Sequence, residues 1–243
     1  MLEHWTQGGD IARFIDHTLL KAGATEAEIG QLCEEARQHG FYSVCVNGGW
    51  VDFCREQLAG SSVKIAAVAG FPLGANASRV KALEAAAAVH DGAAEIDMVL
   101  PVGLVLQGRF GAVSQDVSAV VKAVEGSAIV KVILETALLD DRQIAEACRV
   151  SEAAGAHYVK TSTGFGPGGA TEAHVRLMRA SVSKGIGVKA SGGIRDTETA
   201  IRMLEAGANR LGTSAGVAIT SGAGGGSIPA GSKAEGQQGS SPY

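Results

Sequence analysis

Residues 129–134 read Ile129-Val130-Lys131-Val132-Ile133-Leu134, an apolar run with one lysine set inside it. A strand that is apolar on both faces is covered on both faces, which is how parallel strands behave in α/β proteins. Lys131 therefore stands out, because an ammonium group carried into such a strand loses its water and is costly unless its charge is answered. The arrangement recurs in Val159-Lys160-Thr161 and in Val188-Lys189-Ala190, and each lysine lies 29 residues from the next. That separation suits one strand–helix unit, so the three lysines are expected on three consecutive strands.

Working outward from these strands, β-rich apolar runs fall at 12–18, 41–46, 63–69, 94–99, 128–134, 156–161, 186–190 and 208–212. Helical patterns lie between them near 25–39, 48–59, 76–90, 112–124, 140–154, 171–183 and 196–206, with a short last one at 214–220. Thr25 followed by Glu28 makes a capping box, and Thr171 before His174 gives a weaker N-cap signal. Gly40, Gly92, Gly155, Gly185 and Gly207 sit where left-handed helix ends belong. Eight strands alternating with helices predict a closed α/β architecture, the (β/α)8 TIM barrel, in preference to an open doubly wound sheet. The barrel is expected to form one catalytic domain over 1–220, and the Gly/Ser-rich stretch 221–243 reads as a flexible tail.

Composition narrows the function. The chain has 243 residues, 46% of them apolar and 19% charged, which supports a large core and argues against extended disorder. A net charge of −4 offers no broad basic face for nucleic acid and no polybasic membrane anchor. No apolar run approaches the ~18 residues of a membrane span. Residues 1–10 lack the basic start and apolar centre of a secretory leader. Cys33, Cys45, Cys54 and Cys148 are scattered rather than paired, so a reducing, cytoplasmic setting is expected. An anionic small molecule must then be met by a local pocket.

Barrels of this kind place their chemistry at the C-terminal ends of the strands. Lysines gathered there in an apolar setting repel one another, so their pKa values are expected to fall and to yield a neutral amine able to attack a carbonyl. The competing reading is that they reach outward to solvent or pair with acids. Glu95 and Asp97 lie on one side of the fourth strand, and either could anchor the lysines or relay protons; a structural salt bridge to Lys131 is the plainer role. Ser191-Gly192-Gly193-Ile194-Arg195 follows the seventh strand and Gly212-Thr213-Ser214-Ala215-Gly216 follows the eighth. These are the loops that bind phosphate in this architecture, with glycine letting backbone N–H groups approach the oxygens.

Lys160 leads into Thr161-Ser162-Thr163-Gly164-Phe165-Gly166, whose hydroxyls and glycines can serve a polyol or simply build a loop. His4, His17, His39, His90, His157 and His174 show no metal-ligand spacing, and no GxGxxG follows the first strand. No metal and no cofactor are expected. Cys45 points toward the active rim, although a buried small hydrophobe is its commoner role.

These segments resemble the deoxyribose-phosphate aldolase family. The resemblance is carried by Ile15-Asp16-His17-Thr18-Leu19-Leu20-Lys21, Val44-Cys45-Val46-Asn47, Glu95-Ile96-Asp97-Met98-Val99 and Val130-Lys131-Val132-Ile133-Leu134-Glu135-Thr136, and by residues 159–165 and 188–195. They occur in chain order over about 11–219. The resemblance implies a Schiff base on Lys160, with Lys189 lowering its pKa and Asp97 sharing in proton transfer. It places Lys131, Asp16, Thr18, Cys45 and Thr163 in support, and phosphate against Gly164, Gly192, Gly193, Arg195, Gly212, Thr213 and Ser214. It implies reversible cleavage of 2-deoxy-D-ribose 5-phosphate to D-glyceraldehyde 3-phosphate and acetaldehyde in deoxyribose phosphate catabolism, by an enzyme expected to be a homodimer. The residues alone leave the choice among the lysines open. The rival functions are another Schiff-base aldolase, a phosphate-site isomerase and a non-enzymatic sugar-phosphate sensor. Departures from the family pattern are Gly48-Gly49 and Ala22, where proline is common, and Phe165, where some relatives carry a lysine toward phosphate.

Overall fold

In the computed structural model, residue 6 and residues 10–222 are described. Eight parallel strands close into one barrel in chain order: β1 (Ile15–Leu19), β2 (Ser43–Val46), β3 (Lys64–Ala69), β4 (Glu95–Val99), β5 (Ile129–Ile133), β6 (Tyr158–Lys160), β7 (Gly187–Ser191) and β8 (Arg210–Thr213). Around them run α1 (Glu26–His39), α2 (Val51–Gln57), α3 (Ser78–Asp91), α4 (Val102–Leu106), α5 (Phe110–Ala123), α6 (Asp141–Ala153), α7 (Glu172–Ser181), α8 (Thr197–Glu205) and α9 (Gly216–Thr220). This is the expected (β/α)8 barrel. None of these helices is long and apolar enough to cross a membrane. Residues 223–243, most of the expected tail, lie outside the described residues.

Strand alternation divides the molecule into two interiors. Ile15, Val44, Ile96, Val130, Val132, Val159, Val188 and Leu211 point outward and pack with the helices in one large core. The intervening residues point into the barrel, where Leu20, Cys45, Ala66 and Val68 form a small apolar cluster. Val99 and Ile133 also face inward, and much of the remaining lumen is polar and charged. Strand sequences look apolar because the outward set is mostly aliphatic, while the inward set carries most of the charges one residue away.

Local signals account for several element ends. Thr25 and Glu28 form the full capping box on α1, and Thr171 accepts from the His174 N–H at 3.1 Å. Gly40, Gly92, Gly155 and Gly207 have positive φ as expected. Gly185 does not: α7 stops at Ser181, and the chain reaches β7 through a further turn instead of a cap at residue 185. The strand expected at 12–18 starts late, because the Asp10 side chain accepts the Ala12 N–H at 3.0 Å and caps a 3-10 turn, Ile11–Phe14. The helix expected from residue 48 also begins as a 3-10 turn, Gly48–Trp50, where two glycines give little helical support. Helix α4, a five-residue turn after Pro101, was not expected.

Below the rim of β4 a second device fixes the scaffold. Lys81 is fully buried, and its ammonium donates to Asp116 Oδ2 at 2.8 Å and to the Val99 carbonyl at 2.9 Å. The Ser78 hydroxyl donates to the other oxygen of Asp116 at 2.7 Å. Helices α3 and α5 are thereby tied to the C-terminal end of β4. Breaking such a pair leaves an unanswered buried charge, so Lys81→Met is expected to lower unfolding free energy by about 3–5 kcal/mol in denaturant titrations. The double change Lys81→Met with Asp116→Leu should recover most of that loss. A single-variant loss below about 1 kcal/mol, the value of an exposed pair, would show that Asp116 needs no partner.

Candidate active site

The barrel lumen holds an ion network built from six strands. Asp97 on β4 is its centre: it accepts from Lys131 at 2.6 Å, from Lys160 at 2.8 Å and from Lys189 at 2.8 Å. Glu95, one inward position lower, meets Lys131 at 2.6 Å and Arg210 at 3.1 Å. Asp16 on β1 holds Lys189, Arg210 at 2.9 Å and the Ser43 hydroxyl at 2.7 Å. All of these charged groups are buried. The plainer role anticipated for Asp97, a salt bridge to Lys131, is present, but the same carboxylate also gathers the other two lysines.

The charges do not balance if every group is ionised. Three acids (Asp16, Glu95, Asp97) face four basic side chains (Lys131, Lys160, Lys189, Arg210). Burial works against every charge here, so the network is best satisfied when one base is neutral. Burial pushes down the pKa of Lys160; Asp97 opposes this and the nearby Lys189 ammonium reinforces it, leaving the value below that of an ordinary lysine. Lys131 and Lys189 go the other way. Burial disfavours their charge too, but Asp97, Glu95 and Asp16 around Lys131, and Asp16 and Asp97 around Lys189, raise both above the usual range. Burial raises the carboxyl pKa of Asp97, yet Lys131, Lys160 and Lys189 together hold it well below the usual value. The expectation that all three lysines would be depressed is thus corrected: it holds for Lys160, which has one acid beside it, and fails for the two that have several.

Their heights differ as well. Lys160 is in register with Lys189, but its partner on β5 is Ile133, and Lys131 lies opposite Tyr158. The equal spacing of 29 residues counts loops and helices as well as strands, so it does not fix register. Lys131 sits two residues deeper than expected and reaches the site only through its long side chain.

Above the network opens a cavity of about 350 Å³, and Lys160 is the one of the three lysines that lines it. Thr18, Thr163, Gly164, Gly192, Gly193, Arg195, Gly212, Thr213 and Ser214 also line it, as do Leu20, Lys21, Phe165, Ser191 and Ile194. Asp16, Cys45, Asp97, Lys131 and Lys189 lie beneath it. Cys45 is fully buried, and burial raises its thiol pKa.

The walls are stitched together by side chains. The Thr161 hydroxyl donates to the Ser191 carbonyl and accepts the Ser191 N–H, both at 3.0 Å, joining the loops after β6 and β7. Thr213 donates its hydroxyl to the Ile194 carbonyl at 2.7 Å and accepts the Ala215 N–H at 2.9 Å, joining the turns after β7 and β8. That hydroxyl, expected at phosphate, is engaged in holding the turns. Gly192 and Gly193 have φ of 86° and 80°, a backbone that L side chains rarely adopt, and Gly193 faces open space. Gly212 is required for another reason: a Cβ there would stand 3.0 Å from Lys189 Cε, so its smallness makes room for the lysine beneath the cavity.

Two residues that shape the site escaped the sequence reading. Arg210 packs its guanidinium 3.4 Å from the Tyr42 ring centroid and closes the bottom of the network. Its signal was present, a charged residue inside an apolar strand and in phase with Gly212. Glu135, buried two residues past the end of β5, has positive φ and holds Thr163. Nothing in the sequence pattern marks a backbone of that kind at a glutamate.

Against this geometry the comparisons are direct. Residues 11–222 match the family model described as DeoC/LacD family aldolase. The chain is 54% identical over 213 residues to a deoxyribose-phosphate aldolase of Geobacillus sp. (strain WCH70), covering 88% of this chain and 96% of that one. It is 52% identical over 214 residues to a deoxyribose-phosphate aldolase of Enterococcus faecalis (strain ATCC 700802 / V583), covering 88% and 97%. Among solved structures it superposes on the deoxyribose phosphate aldolase of Aeropyrum pernix, described as a unique tetrameric structure, with a TM-score of 0.81, 37% identity and coverage of 88% and 92%. With a family match over nearly the whole barrel and close relatives covered almost end to end, this chain belongs to the DeoC/LacD family of aldolases, carbon–carbon lyases.

Proposed function

We propose that the protein reversibly cleaves 2-deoxy-D-ribose 5-phosphate to D-glyceraldehyde 3-phosphate and acetaldehyde through a Schiff base on Lys160. The observation that carries this reading is the position of Lys160: at the cavity floor, buried, with a depressed pKa beside two lysines that stay charged. The relatives named deoxyribose-phosphate aldolases support the substrate. The work is assigned to the cytoplasm and to deoxyribose phosphate catabolism.

The chemistry follows from a neutral amine over a charged bed. The Lys160 Nζ lone pair attacks C1 of the open-chain aldehyde, and the carbinolamine loses water to give an iminium. The C3 hydroxyl gives up its proton as the C2–C3 bond breaks, and the bonding pair moves into the iminium to leave a two-carbon enamine. D-Glyceraldehyde 3-phosphate departs carrying C3 to C5. The enamine takes a proton at C2, and water then releases acetaldehyde and regenerates the amine. Asp97 and Lys189 lie against Lys160 and are assigned the proton movements, with water as carrier. Lys189 has a second task, since its fixed positive charge disfavours an ammonium on Lys160. Lys131, Asp16, Thr18, Cys45 and Thr163 support this arrangement.

Phosphate is assigned to the turns after β7 and β8, where Gly192, Gly193, Arg195, Gly212 and Ser214 line the far wall of the cavity with Gly164. Binding the remote phosphate orients the reacting carbons over Lys160. Phe165 packs edge-on against Phe71 at 5.3 Å and presents an apolar surface at the rim where some relatives place a lysine.

Borohydride reduction with 2-deoxyribose 5-phosphate in EDTA, followed by peptide mass mapping, tests the assignment. An adduct on Lys160 is expected, and Lys160→Met should abolish it and lower kcat by at least ~10³-fold. An adduct on Lys189 or Lys131 would overturn the choice of nucleophile, and no adduct with bound substrate would overturn the mechanism. A pH profile tests the role of Lys189. The reactive amine is the deprotonated form, so activity rises as pH passes through the Lys160 pKa. Lys189→Met removes a charge that lowers this pKa, so the ascending limb of kcat/KM should move to higher pH and activity should partly recover in alkali. An unmoved limb would show that Lys189 does not set the state of Lys160.

A further inference from the structure

Glu135 lies two residues past the end of β5 and is the one non-glycine residue with positive φ among the described residues, at 55°. An L side chain is disfavoured there, and glycine would serve the turn better. The side chain is nonetheless buried, and one of its two oxygens is engaged. Its Oε2 accepts the Thr163 backbone N–H at 3.3 Å and the Thr163 hydroxyl, and that hydroxyl accepts the Phe165 N–H at 3.0 Å. Gly166 passes directly over the carboxylate, so closely that a Cβ there would stand 2.8 Å from Glu135 Cδ. One carboxylate therefore gathers the start of the loop after β6, the stretch from which Thr163, Gly164 and Phe165 line the cavity. Lys160 lies on the same strand and loop, three residues before Thr163.

A disfavoured backbone, a buried acid and a glycine kept bare above it all point at the same contact. We infer that Glu135 is a positioning residue for the aldol reaction: it does not line the cavity, but it fixes the wall that faces the Schiff-base lysine and holds the substrate against it. The inference rests on the assignment of Lys160 made above. Glu135 acts through Thr163, and Gly166 is glycine because the carboxylate occupies the space a side chain would need.

Kinetics on 2-deoxyribose 5-phosphate, run beside borohydride trapping, distinguish this from a merely structural turn. Glu135→Gly suits the local backbone but removes the clamp. It is expected to stay folded and to trap substrate on Lys160, while kcat/KM falls about 10- to 100-fold, mostly through KM. Glu135→Gln keeps an acceptor oxygen for Thr163 and should restore most of the loss. Gly166→Ala pushes on the carboxylate from above and should reproduce the defect in the wild-type background. In the Glu135→Gly background it should add nothing, because its collision partner is gone. Should Glu135→Gly fail to fold, Gly166→Ala and Glu135→Gln carry the test alone. Wild-type kcat and KM in Glu135→Gly or Gly166→Ala, with wild-type protein trapping on Lys160, would overturn the positioning role and leave the proposed function standing. Failure of the wild-type protein to trap at all would remove both.

Discussion

The barrel lumen carries one more base than acid, and much of the site follows from that imbalance. Asp16, Glu95 and Asp97 can neutralise three of the four basic side chains buried with them. Lys131, Lys189 and Arg210 take that role, each touching two or more carboxylates. Lys160 is left with a share of Asp97 and with Lys189 beside it. In water such an imbalance is harmless; inside a protein a surplus charge is expensive enough to be discharged by losing a proton. The fold thus lowers the pKa of the amine at the cavity floor by over-supplying cations around it.

The imbalance works only if the geometry is held. Gly212 leaves the space that the Lys189 stem fills, and Gly187 leaves the space for the Tyr158 ring, which a Cβ would meet at 2.1 Å. Arg210 lies between Tyr42 and Tyr158, whose faces accept a guanidinium without adding charge to the lumen. Outside the barrel, Lys81 and Asp116 fasten two helices to the end of the strand that carries Asp97. Above it, Thr161, Thr213 and Glu135 fasten the catalytic loops to each other. The interior is charged and the rim is tied, so both layers are fixed by directed bonds in addition to packing.

Much of this could be read from residues. A lysine inside Val130–Val132, and again inside the sixth and seventh strands, points to both the parallel sheet and the site, because repeated charge in apolar strands is costly and must be answered inside the barrel. The glycine turns after β7 and β8 could be assigned to the cavity because the architecture fixes which loops meet there. What could not be read depends on three-dimensional register and on neighbours. Equal spacing hid the lower position of Lys131, and spacing alone gave no reason to separate Lys160 from the other two lysines; its place at the cavity with one acid beside it is a difference seen only in three dimensions. The pKa directions of Lys131 and Lys189 depend on Asp16 and Glu95, which come from strands far away in sequence. Gly212 looked like a phosphate turn and proves to be room for a side chain as well.

Among the three lysines of the barrel lumen, Lys160 alone has its pKa pushed below the ordinary lysine value, and the site depends on that difference. Titration of the lysine side-chain 15N resonances, with Lys160 assigned through Lys160→Met, addresses it most directly. The account predicts that the Lys160 resonance titrates below the ordinary lysine value of about 10.4, while those of Lys131 and Lys189 remain charged until the protein unfolds in alkali. A Lys160 that titrates at or above the ordinary value, or a Lys189 that titrates first, would contradict it.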